Sequence, residues 1–149
     1  MSTLPLPLRE RRVFVDSSAY LALRDRTDEH HEEAVAMLHA LARLRFRQVT
    51  SNVIILEAHS LILSSMGIAQ GQSFLRDMED SATTILRARQ ADEDQARQIV
   101  YRYTDKDYSL VDATSFTLMG RLALQAAFTF DRHFRQYGFT QLTPALLEG

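Results

Sequence analysis

Cysteine is missing from this 149-residue chain. Its absence excludes thiolate metal sites, disulfides and cysteine nucleophiles. Lysine is almost missing: Lys106 is the sole lysine among 17 basic residues, so the cationic side chains are nearly all arginine. Nineteen acidic residues oppose them and leave a net charge of −2, against a generally basic nucleic-acid-binding domain. No apolar run approaches the ~20 residues needed to span a bilayer. The start, MSTLPLPLRERR, lacks the hydrophobic segment of a secretory signal. No membrane association is expected, and a cytoplasmic location is. There is no internal repeat, low-complexity tract, interdomain linker or Gly-rich phosphate loop. The length suits one domain, expected over residues 12–149, with residues 1–11 as a flexible lead-in carrying Pro5 and Pro7.

Acidic residues are present in places where apolar ones are expected. Asp16 ends the run RVFVD, Glu57 lies inside NVIILEAHSLIL, Asp112 inside SLVDATSFTLM, and Asp131 ends AAFTFD. Carboxylates are rarely buried without a partner, and these segments offer no matching Lys or Arg. If the acids converge, the missing partner is a divalent cation. Oxygen donors alone favour Mg²⁺ or Mn²⁺ over zinc or copper. Taken singly, Asp16 would serve equally as a helix cap, Asp112 as a stabiliser of its helix N-terminus, and Asp131 as a cap or loop residue. Glu57 resists such a reading, because its neighbours on both sides are apolar.

Short β-like runs alternate with longer helical ones. RVFVD, RQVTS, ATTILRA and QAAFTF read as strands, with GFTQLT as a possible fifth. Helices are expected over SSAYLALRD, over DEHHEEAVAMLHALARLR with Ala34, Leu38, Leu41 and Ala42 on its apolar face, and from the cap Ser51 or Asn52 to Gly67. Further helices are expected over about 69–80, over DEDQARQIVYRYT and over LVDATSFTLMGRLAL. The alternation predicts a three-layer α/β/α domain with a mainly parallel sheet of four or five strands. Ligands bind such sheets beyond the carboxyl ends of the strands. Asp16 and Asp131 fall at strand ends. Glu57 shares a face with Ile54 and Leu61, and Asp112 with Phe116 and Met119, so all four acids can reach one rim.

On these residues the chain resembles the PIN domain family, the fold of the toxin nucleases of bacterial toxin–antitoxin pairs. The segments that carry the resemblance are VFVDSSAYLAL, SNVIILEAHSLI, YTDKDYSLVDATSFTLM and AAFTFDRHFRQYGF, in that order. It implies a metal-dependent endoribonuclease whose catalytic and metal-holding residues are Asp16, Glu57, Asp112 and Asp131. Asp16 and Asp112 would anchor Mg²⁺ or Mn²⁺, with Glu57 and Asp131 completing its surroundings. Such an ion acidifies a bound water and offsets charge on the reacting phosphate. The expected partners are an RNA substrate, a cognate antitoxin and a second copy in a homodimer. Ser17, Asp107 and Thr129 are candidates to orient the ligands, and Arg24 and Arg132 to hold RNA phosphates at the rim, beside Arg26 and Arg135.

His30 and His31 point to different helix faces and His59, two after Glu57, lies on another face; His133, two after Asp131, is close enough to the site for a phosphate contact, and none is assigned a catalytic role. A housekeeping PIN ribonuclease of RNA processing or decay would share the same residues. A non-catalytic PIN-fold interaction module would not need an intact quartet. A haloacid-dehalogenase-like phosphatase would need an Asp where Ser18 stands, and a receiver domain a lysine after a late strand.

Overall fold

The computed structural model describes residues 4, 5 and 8–148. Among these residues the chain runs β1 (Arg12–Val15), α1 (Ser17–Arg24), α2 (His31–Arg43), β2 (Arg47–Ser51), α3 (Asn52–Met66), α4 (Ile68–Asp80) and β3 (Thr84–Leu86). It continues with α5 (Gln90–Arg102), α6 (Leu110–Arg121), β4 (Ala126–Phe128), α7 (Arg132–Tyr137), β5 (Thr140–Gln141) and α8 (Pro144–Glu148). The strands form one sheet of order β3-β2-β1-β4-β5. Every pairing is parallel, so the expected mainly parallel sheet is wholly so among the described residues. The central strand β1 is buried along Val13, Phe14 and Val15, which fits the β-branched and aromatic character of a strand covered on both faces.

The strand order creates the site. From β1 the chain moves outward to β2 and β3 on one side, and β4 returns to the other side of β1. The crevice between the ends of β1 and β4 is therefore the switch point at which open α/β sheets bind ligands. The Asp16 N–H donates to the Phe128 carbonyl at 3.0 Å, extending this pairing to the first acid.

Two readings of the sequence need correction. The buried positions of α2 are Ala34, Met37, Ala40 and Leu41, so its apolar face is rotated from the one expected: Leu38 is half-buried and Ala42 exposed. β4 stops at Phe128, and Asp131 is not a strand end but the N-cap of α7, a helix not foreseen in RHFRQY. In the segment read as a flexible lead-in, Leu4 and Leu8 pack into the core, at 5% and 1% exposure. Positions 1–3, 6 and 7 of that segment lie outside the described residues.

Candidate active site

Asp16 follows β1 and is 4% exposed. It stands at the N-cap of α1, but its side chain makes no capping bond. Its Oδ2 instead accepts from the hydroxyls of Ser18 and Thr129, each at 2.9 Å. Burial pushes the Asp16 carboxyl above its ordinary range; the two hydroxyls and the Ser17 backbone oppose this, and the Glu57 charge adds to it. Glu57 projects from α3, which starts where the Ser51 hydroxyl accepts from the Ile54 N–H. The Glu57 carboxylate accepts a short hydrogen bond from the Ser17 hydroxyl. Ile54 on its face is buried, but Leu61 is 40% exposed, so Glu57 stands at the cleft mouth rather than in the core.

Asp112 is held by the start of α6. The Ser109 hydroxyl accepts from the Asp112 N–H at 3.0 Å, and Asp112 Oδ2 accepts from the Ser109 N–H at 3.1 Å, a reciprocal capping box. Asp112 is 8% exposed. Burial pushes its carboxyl up, as do the charges of Asp131 and Asp16, while the Ser109 N–H and His133 oppose the rise. Asp131 caps α7 by accepting from the His133 N–H at 2.9 Å, and its own N–H donates to Thr129 Oγ1 at 3.0 Å. One hydroxyl, that of Thr129, thus links the first acid to the last.

All four carboxylates line a cleft of about 360 Å³ together with Ser17, Ser18, Asp107 and Ser109. His133 is there too: its Nδ1 lies 2.9 Å from Asp112 Oδ2 and its Nε2 2.8 Å from Asp107 Oδ1. Burial disfavours the imidazolium, but Asp112, Asp131 and Asp107 outweigh it and raise the His133 pKa. The same contact lowers that of exposed Asp107. No lysine or arginine lines this cleft among the described residues. Four carboxylates in one cleft, two of them (Asp16 and Asp112) pushed up by burial and by neighbouring charge, are a donor set suited to a hard divalent ion.

The other candidates divide. Ser17, Asp107 and Thr129 touch Glu57, His133 and Asp16 respectively. Arg132 is exposed beside Asp131, and its charge reaches Asp107. Arg24 lies elsewhere: it pairs with Asp77 and stands over the Phe74 ring, on the wall of a separate apolar cleft with Tyr20 and Phe46. Ser18 and Ser109 received no role from the sequence, and His133 only a phosphate contact. Ser18 repeats the hydroxyl of Ser17 two positions after Asp16. His133 is two positions after Asp131, but only the unforeseen helix α7 turns its ring back onto Asp112.

Comparison with known proteins agrees with this fold. Residues 13–140 match the PIN domain family. The 23S rRNA-specific endonuclease VapC20 of Mycobacterium tuberculosis is 31% identical over 137 residues, covering 89% of this chain and 98% of that protein. Ribonuclease VapC26 of the same organism is 26% identical over 123 residues, 82% of this chain and 89% of the relative. The crystal structure of VapC20, described as a Sarcin-Ricin loop cleaving toxin, superposes with a TM-score of 0.82 at 27% identity, covering 89% of this chain and 99% of that one. FitAcB from Neisseria gonorrhoeae shares the fold, with a TM-score of 0.65 at 15% identity, over 89% of this chain and 98% of its own. With the family match running from β1 to β5 and all four carboxylates on one rim, this chain belongs to the PIN domain family.

Proposed function

We propose that the chain hydrolyses phosphodiester bonds of a structured RNA, using Mg²⁺ or Mn²⁺ held among Asp16, Glu57, Asp112 and Asp131, and that it is the toxin of a toxin–antitoxin pair. The observation that carries this reading is the convergence of four carboxylates in one cleft that no Lys or Arg lines among the described residues. Bound there, a divalent cation supplies an acidified water and compensates charge on the phosphate. The residues supply position. Ser18 and Thr129 hold Asp16 Oδ2, Ser109 fixes Asp112, and Ser17 fixes Glu57. Asp16 and Asp112 are buried, while Glu57 and Asp131 are half-buried and face arriving substrate. Arg132 beside the cleft offers a contact for an RNA phosphate.

Similarity to VapC20 makes ribosomal RNA the first substrate class to try. In this reading the chain also pairs with an antitoxin that covers the cleft, and it forms a homodimer. Leu56 and Ile68, 68% and 70% exposed, leave apolar side chains on α3 and α4 for such contacts. The purified chain is to be incubated with total RNA in Mg²⁺ or Mn²⁺ and the new 5′ ends sequenced. Cuts at discrete sites that disappear in EDTA are expected. Intact RNA under both metals would contradict the proposal. Arrested growth on expression without a partner, relieved by the neighbouring small gene, would support the toxin role over a housekeeping one.

A further inference from the structure

His133 is placed among the carboxylates in a way that the metal reading above leaves unused. Its Nδ1 lies 2.9 Å from Asp112 Oδ2 and 3.2 Å from Asp131 Oδ1. One ligand atom from each of Asp112, Asp131 and His133 falls within a mutual 4.8 Å. In an octahedral site with bonds of ~2.1 Å, neighbouring donors stand ~3 Å apart, so these separations are those of adjacent ligands to one ion. The other ring nitrogen, Nε2, is 2.8 Å from Asp107 Oδ1. A carboxylate that accepts from one ring N–H fixes the tautomer and leaves the other nitrogen as a bare donor, the arrangement that commonly backs a metal-bound histidine. Here Nδ1 faces the Asp112 and Asp131 oxygens: without metal a proton on Nδ1 bridges them, and a divalent cation can take that proton's place with the same three atoms around it. The ring is also held in place: its side chain is 13% exposed and Tyr108 packs edge-on at 5.3 Å.

We infer that His133 is a nitrogen ligand of the catalytic cation, oriented by Asp107, and that it biases this site towards Mn²⁺ over Mg²⁺. The inference rests on the reading that a divalent ion binds among the four carboxylates. Its chemical basis is the donor type. Mg²⁺ is a hard cation that takes oxygen ligands, whereas first-row transition ions accept imidazole nitrogen as well. A site of carboxylates alone would not draw this distinction so strongly.

The test is pulsed electron paramagnetic resonance of the full chain loaded with Mn²⁺ alone, with calorimetric titrations of Mn²⁺ and Mg²⁺ beside it. Nitrogen-14 coupling from a directly bound imidazole is expected in the wild type and is absent from His133→Ala. The Mn²⁺ over Mg²⁺ affinity ratio falls about tenfold or more in that variant, and Asp107→Asn, which leaves the ring in place, weakens Mn²⁺ binding about 10-fold or more. The wild-type spectrum decides the matter even if a variant fails to fold. Mn²⁺ bound without nitrogen coupling overturns the inference alone, making His133 a hydrogen-bonding neighbour of Asp112. No Mn²⁺ binding by the wild type overturns the inference together with the metal reading on which it rests.

Discussion

Asp16 and Asp112 sit at 4% and 8% exposure, and no lysine or arginine lines their cleft among the described residues, so without metal their ionised forms carry a cost to folding. Asp16→Asn keeps an oxygen to accept from Ser18 and Thr129 while removing the charge. In EDTA the variant is expected to melt higher than the wild type, by roughly 4 °C per kcal/mol gained in a domain of this length. Its RNA cleavage falls roughly a hundredfold or more. Calorimetry beside a cleavage assay checks both, and a lower Tm in EDTA would contradict the assignment of strain to Asp16.

The pH dependence has the same origin. Asp16 and Asp112 titrate above 3.8 in the folded chain, so the folded state holds more protons than the unfolded one between that value and their raised pKa values. Stability therefore falls as pH rises through the raised values. His133, raised above 6.5, adds the same sign, since its contribution is present below pH 6.5 and lost as pH rises through its folded value. In EDTA the Tm is expected to decline as pH rises from the ordinary range of these groups through their raised values, with a shallower slope in Asp16→Asn. A Tm that climbs over that range would contradict it. Among individual residues, the quartet was legible because acids inside apolar runs demand an explanation. Ser18 and His133 were not, because a hydroxyl or imidazole near an acid reads as ordinary until the fold turns it inward.

At the level of elements, the acids are positioned largely by helix beginnings. α1 starts directly after Asp16, α6 starts on the Ser109–Asp112 box, and α7 starts on Asp131. Ser109→Ala removes the acceptor for the Asp112 N–H and is expected to cost about 1 kcal/mol. Cleavage should fall further than the unfolded fraction explains, because Asp112 loses its fixed orientation. Denaturant melts and rates measured well below Tm separate the two effects, and an unchanged rate would show that the box is structural only. The start of α3 was readable, since Ser51 carries ordinary cap chemistry, whereas α6 was read from its run LVDATSFTLM without its Ser109 cap. The face of α2 was misjudged because alanines on both sides blur its periodicity, and only tertiary packing selects Met37 and Ala40. The six residues of α7 are too few to show a period at all.

For the whole molecule, the parallel sheet follows from strand–helix alternation, but its order does not. That β4 returns beside β1, bringing Asp131 and Asp112 to Asp16, depends on non-local pairing that no sequence window encodes. The four acids nevertheless hinted at that convergence, since acids inside apolar runs call for a shared partner. A ligand that binds the folded state alone stabilises it by about 2.7 kcal/mol at a hundredfold excess over Kd. Saturating Mn²⁺ is therefore expected to raise the Tm of the wild type by several degrees and that of Asp16→Asn little, as thermal melts with and without metal would show. An equal shift in both proteins would place the ion elsewhere.

The most direct measurement of the central claim is cleavage of a ribosomal RNA fragment by the wild type and by Asp112→Asn at matched folded concentration, in Mn²⁺ and in EDTA. The four-carboxylate account predicts discrete cuts by the wild type in Mn²⁺ alone, and none by the variant under either condition. Cleavage that persists in EDTA, or in Asp112→Asn at the wild-type rate, would contradict it.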